Sequence, residues 1–225
     1  MPANLNPLEP ATTDALLTGD PRQAFALAQS LMVQPKMSHQ ARGLWGYTGV
    51  TSSGSGLSVQ STGVGGPGVV AVLGDLAGFG VRRVIRLGTC IAAAGQFAPG
   101  QALLVEQAIG NDGASSTLNG SQVQTGPDPG LQQLLDGIAP LATVSSHDVV
   151  ARFDPNGPAP LEGALVRDLQ TAATFAMGSR MKVKTAALLI VAGSGEFATL
   201  SEADLTGLLT ELGQEVVARL HETDT

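Results

Sequence analysis

The sequence predicts an α/β fold, and three features carry that expectation. The stretch from Val59 to Ala94, VQSTGVGGPGVVAVLGDLAGFGVRRVIRLGTCIAAA, alternates strand, glycine turn, helix, strand and glycine turn. A shorter version of the same order runs from Ala15 to Met32. The glycines, 29 of 225 residues, gather at the ends of apolar runs instead of spreading as linkers, the pattern of a backbone brought close to a ligand.

Taken in chain order, residues 1–13 are Pro- and Asn-rich and read as irregular. Ala15–Leu17 is a short strand, and Asp20 caps a helix that starts at Pro21 and carries Phe25, Leu27, Leu31 and Met32. Residues 36–50 read as loop then strand, with His39 a surface loop residue, and 51–56 is a hairpin turn between two strands. Val59–Thr62 is a strand. Val69, Val72, Leu73, Leu76 and Phe79 recur at helical spacing after Pro67, with Gly80 as the stop. Val81–Leu87 is the next strand, closing on Gly88-Thr89.

Further on, 102–110 is a strand, 111–115 a turn, 116–130 a polar loop and 131–138 a short helix. Ala142–Ser146 is a strand that leads into His147-Asp148, an acid–base pair by composition but one whose members point to opposite faces if the strand continues. Residues 151–163, ARFDPNGPAPLEG, form a loop able to cover a pocket. A helix over about 166–181 and a core strand over 185–191 follow. The last helix is the clearest, with a Ser201–Asp204 capping box and an apolar face of Leu205, Leu208, Leu209, Leu212, Val216 and Leu220.

Composition limits the function classes. A hydrophobic share of 43% is ample for one buried core, and a net charge of −7 with only 12 Lys and Arg leaves no basic track for nucleic acid. The N-terminal stretch has neither a basic start nor an apolar core, and no apolar run approaches ~20 residues, so a cytoplasmic protein with no membrane partner is expected. The single cysteine, Cys90, excludes an internal disulfide and reads as a pocket-wall residue more than a nucleophile. No metal-ligand spacing occurs around His39. What the pattern does favour is an oxyanion: Arg86, a glycine amide and the Thr89 hydroxyl sit within four residues at a strand end, and Gly19 lies at the positive end of a helix.

Six segments in order carry a family resemblance: Gly19-Asp20-Pro21, Arg42, STGVGGPG at 61–68, RLGT at 86–89, NDGAS at 111–115 and DLQTA at 168–172. Over nearly its whole length the chain resembles the nucleoside phosphorylase superfamily of the uridine phosphorylase and bacterial hexameric purine nucleoside phosphorylase type. STGVGGPG leans toward the uridine branch. The resemblance implies one three-layer α/β/α domain over 1–225 with a central mixed sheet. It also implies inorganic phosphate as co-substrate with no other cofactor, and a homodimer at least, extending to a trimer of dimers.

The same resemblance places phosphate on Gly19, Arg86, Thr89 and a neighbouring subunit's Arg42, with Arg86 and Gln170 as catalytic residues. Ribose falls to Leu169, Gln170 and Asn4, and the base to Cys90, Ile91 and Val149. The chain departs from the family pattern at several of these. Asp168-Leu169-Gln170 stands where Glu-Met-Glu is typical, Gln23 replaces a second arginine with Arg22 one place early, and Asn4 stands where a histidine is expected. The purine branch has an aspartate after the strand at 185–191, where this chain has Gly193-Ser194-Gly195 and Glu196 as the nearest acid. Two readings follow: phosphorolysis of a nucleoside, or a family member that binds such a ligand without turnover.

Overall fold

A computed structural model describes residues 4–120, 124–157, 159–195 and 197–222 of the chain. Among these residues eleven strands form one sheet: β1 Asp14–Thr18, β2 Val33–His39, β3 Gly46–Val50, β4 Gly56–Ser61, β5 Arg83–Ala92, β6 Ala102–Asn111, β7 Gln124–Thr125, β8 Leu141–His147, β9 Val166–Asp168, β10 Lys184–Ser194 and β11 Phe197–Ala198. Six α-helices cover its faces: α1 Pro21–Leu31, α2 Gly66–Gly78, α3 Gly113–Asn119, α4 Pro129–Leu134, α5 Thr171–Met181 and α6 Glu202–Glu222. The predicted α/β class and mixed sheet are both present.

The sheet has two parts that share β5. In the first, β5 pairs β1 in parallel, β1 pairs β4 in parallel, and β3 and β2 continue antiparallel to the edge. In the second, β5, β10, β6, β8 and β9 pair in a closed ring, because β10 bonds both β5 and β6 while β9 bonds both β8 and β5. Closure leaves the five ring strands without a free edge, and the open part of the sheet ends at β2.

Side chains alternate between the layers as strand geometry requires. On β10, Ala186, Leu188 and Ile190 join the core under α1 and α6, whereas Ala187, Leu189 and Val191 face the core of the ring under α5. On β1, Leu16 faces α1 and α6 while Ala15 and Leu17 face α2. Helix α6 follows its predicted face, burying Leu209, Leu212, Val216 and Leu220, and Ser201 Oγ donates to Asp204 Oδ2 at 2.7 Å in the capping box.

Several boundaries differ from expectation. Strand β2 includes residues read as loop, and His39 is 5% exposed because the N-terminal segment covers it, with Asn6 N donating to its Nδ1. Strand β5 does not close on Gly88-Thr89 but runs on to Ala92, since β10 pairs it along its whole length. Residues 113–119 are helix α3 instead of turn and loop, because Asp112 Oδ1 accepts from Ser115 N and caps it. The helix expected from Val166 begins only at Thr171, since Val166–Asp168 are drawn into the sheet between β8 and β5.

Candidate functional site

The shared strand creates the site. Strand β1 accompanies β5 only as far as the Leu17–Arg86 pair, and β9 joins the same edge at Ile91 and Ala92. Between them, residues 87–90 of β5 have no strand partner on that side, and the fork opens a cavity of about 540 Å³. Its walls include Gly19, Gly63, Gly65, Arg86, Thr89, Cys90, Ile91, Arg167, Asp168, Leu169 and Gln170. The N-terminal ends of α1, α2 and α5 all adjoin it, so the partial positive ends of three helices face one space.

Arg86 is 5% exposed and only partly engaged. Its Nη2 donates to Asp168 Oδ2 at 2.9 Å, while Nε and Nη1 have no hydrogen-bond partner among the described residues. Two buried cationic donors without an acceptor are unfavourable unless an anion completes them. Gly88 is glycine because a Cβ there would overlap Arg86 Nη1; the guanidinium lies directly across it. This is the one place in the strand where an absent side chain makes room for the cation.

Asp168 fixes that cation. Its Oδ2 also accepts from Thr171 N at 3.1 Å and Thr171 Oγ1 at 2.6 Å, and its Oδ1 accepts from Ser146 Oγ at 2.6 Å and Gln170 N at 3.2 Å. The carboxylate therefore caps α5 and pairs with Arg86 at once, so the acid of this buried ion pair is fully bonded while its cation is not. Gln170, 4% exposed, turns its carboxamide toward the β4–α2 turn: Nε2 donates to Gly63 O at 2.7 Å and to Gly65 O at 3.1 Å.

Sequence reading missed Arg167. It is 2% exposed in the cavity wall, and it donates from Nη1 to Gly157 O and from Nη2 to Val149 O and Asp154 Oδ2, at 2.9–3.0 Å. These bonds tie the loop after β8 against the cavity, as the Pro- and Gly-rich composition of that loop allows. The signal was available, since Leu165-Val166-Arg167-Asp168 alternates as a strand does, but the apolar residues beyond it favoured a helix.

His147 sits under this loop, within 3.0 Å of Ser145 Oγ, 3.2 Å of Asn111 Nδ2 and 3.5 Å of Asp154 Oδ2. Burial, followed by the positive charge of Arg167, holds its pKa below the ordinary 6.5. Asp148 is not its partner: its Oδ2 accepts from Gly113 N at the start of α3. The Asp154 carboxyl is held below its ordinary 3.8, first by the Asn156 N–H and then by Arg167. Burial, reinforced by Asp168, pushes the Cys90 thiol up, so it stays protonated as a wall residue.

The expected site residues fall into two sets. Gly19, Arg86, Thr89, Leu169, Gln170, Cys90 and Ile91 meet in the cavity. Val149 does not: it is 39% exposed and offers only its carbonyl to Arg167, and Val150 and Ala151 face the cavity in its place. Arg42 and Asn4 lie outside this chain's cavity and bond each other, Arg42 Nη1 to Asn4 Oδ1 at 3.1 Å. Gln23 lines the cavity and accepts from Thr18 Oγ1, whereas Arg22 reaches Glu202. Glu196 lies outside the described residues.

Known proteins of this kind can be compared with that geometry. A family model described as the phosphorylase superfamily matches residues 13–222. A DeoD-type purine nucleoside phosphorylase of Clostridium novyi is 28% identical over 207 residues, covering 85% of this chain and 88% of that protein. One from Oceanobacillus iheyensis is 41% identical over 76 residues, a match that spans 33% of this chain and 32% of that protein. Among solved structures, purine nucleoside phosphorylase from Toxoplasma gondii in complex with immucillin-H superposes with a TM-score of 0.81 at 19% identity, covering 95% of this chain and 93% of the other. With the family match running from just before β1 to the end of α6, the chain belongs to the phosphorylase superfamily.

Proposed function

We propose that the protein is a nucleoside phosphorylase: inorganic phosphate attacks the anomeric carbon of a nucleoside, the N-glycosidic bond breaks, and a pentose 1-phosphate and a free base leave. The observation that carries this reading is the pair of unpartnered buried donors, Nε and Nη1, on Arg86 in the cavity. Phosphate placed against them would also meet the Thr89 hydroxyl, the Gly19 backbone and the helix ends behind the two glycine turns. Positioning and electrostatics then supply most of the rate enhancement, with phosphate held beneath the sugar as positive charge develops there.

The base is proposed to lie against the apolar wall formed by Cys90, Ile91, Val150 and Ala151. The relatives named above favour a purine as the base, against the uridine lean of the STGVGGPG segment. Arg42 and Asn4, bonded to each other outside the cavity, are proposed to complete a second subunit's site in a dimer.

One observation favours the second reading, binding without turnover. Each described carboxylate of the cavity wall is already engaged: Asp20 accepts from Arg22 N, Asp168 from Arg86, and Glu202 from Arg22 Nη1. Incubating the protein with a panel of purine and pyrimidine nucleosides, with and without phosphate, separates the two. Phosphorolysis predicts release of free purine that requires phosphate; saturable nucleoside binding with no release in either condition supports the second reading.

A further inference from the structure

Residue 170 is where the chain departs most sharply from the Glu-Met-Glu pattern, and the structure gives the departure a physical reason. Gly63 and Gly65 have φ of +72° and +86°, a conformation only glycine adopts freely. The turn aims two carbonyl oxygens, those of Gly63 and Gly65, at the end of the Gln170 side chain. Both carboxamide hydrogens are committed there, and Thr62 Oγ1 stands 3.2 Å from the same nitrogen. A neutral amide satisfies two carbonyls; a carboxylate would set negative oxygens against them inside a buried contact.

We infer that Gln170 is a positioning residue that locks the glycine turn between β4 and α2 to the Arg86–Asp168 pair, and that glutamate in its place unlocks that turn. The connection is continuous: Arg86 Nη2 donates to Asp168 Oδ2, Gln170 N donates to Asp168 Oδ1, and Gln170 Nε2 donates to Gly63 O and Gly65 O. The turn and the cation are thus held in register from one point. Gly19 closes the same corner, since a Cβ there would stand 3.5 Å from Gly63 O and 3.8 Å from Gln170 Oε1. Oε1 itself accepts from Thr62 Oγ1 at 3.4 Å, so both ends of the carboxamide are engaged by the β4–α2 segment and the residue acts through the turn.

The inference rests on the phosphate-binding reading only for its functional arm, and the test has a second arm that does not. Gln170→Glu and Gln170→Met are compared with the wild-type chain at pH 8 and pH 5. Hydrogen exchange of the peptide covering 60–68 reads the turn, and calorimetry with inorganic phosphate reads the site. Comparison with wild type at the same pH removes the titration of phosphate itself.

At pH 8 the glutamate variant is expected to exchange this peptide roughly tenfold or more faster and to bind phosphate roughly tenfold or more weakly, the scale of losing the two buried hydrogen bonds to Gly63 O and Gly65 O. At pH 5 the carboxyl, facing carbonyls in a buried site, takes up a proton, regains a donor and returns most of both losses. The methionine variant, which has no donor at either pH, stays loose at both. Wild-type exchange and affinity in the glutamate variant at pH 8, or a gain in nucleoside turnover there, would overturn the inference in favour of a direct sugar ligand. Absence of phosphate binding by the wild type overturns the proposed function instead, and the exchange arm still decides the lock.

Discussion

Among the described residues Arg86 has one partner in Asp168 and two unpartnered donors, so its replacement acts on stability and on the site together. Arg86→Gln leaves the 6%-exposed Asp168 without its countercharge and is expected to destabilise the fold by about 3 kcal/mol, read by chemical denaturation. In the protein that remains folded, kcat is expected to fall by roughly 10²–10³ with the KM for phosphate raised, the scale of removing a preorganised anion donor. His147 gives a pH signature of its own. Burial and Arg167 hold its pKa below 6.5, with Asp154 and Asp168 opposing, so the unfolded chain gains a proton that the folded chain resists. Its effect on stability is absent above pH 6.5 and grows as pH falls below it. Denaturation curves between pH 8 and 5 should show a loss in the wild type that is smaller in His147→Gln; equal losses would contradict this placement. Asp154 has the same direction at lower pH: its contribution is intact above 3.8 and disappears as pH falls further. At this scale the sequence revealed Arg86, Thr89 and Gly19 through glycine turns, but not Arg167, whose partners are two backbone carbonyls and the Asp154 carboxylate of an irregular loop with no pattern to mark them.

Elements with strong local signals were legible, and those made by tertiary pairing were not. Helices α1, α2 and α6 carry their caps and apolar spacing in the sequence, and the β3–β4 hairpin carries its turn. Strand β9 is only three residues and exists because β8 and β5 flank it, so no local pattern could outweigh the helical run that follows. Strand β2 is mostly exposed at the sheet edge and contains a proline, which hid it. The loop after β8 is held by Arg167 as a unit, through Val149, Asp154 and Gly157. Arg167→Met should release it, raising the KM for nucleoside by roughly tenfold or more while the KM for phosphate changes little, because Val150 and Ala151 lose their position on the cavity wall. Steady-state kinetics with each substrate varied in turn makes that split visible; a matching rise in both KM values would point to general loosening.

The fork in the sheet is a property of the whole chain. Strand β5 pairs with β1 over its first four residues, β9 over its last two and β10 throughout, so the cavity arises from partners far apart in sequence. The α/β class could be read from the alternation of elements, but ring closure through β10 could not, because nothing local records which two strands one strand will bond. No helix among the described residues is long and apolar enough to cross a membrane. In the proposed reaction this cavity joins phosphate to a sugar. Phosphorus NMR of the protein with inorganic phosphate and a purine nucleoside tests it most directly. The expected result is a new resonance of a pentose 1-phosphate, growing in step with free base as inorganic phosphate declines; free base released with the phosphate signal unchanged would contradict it.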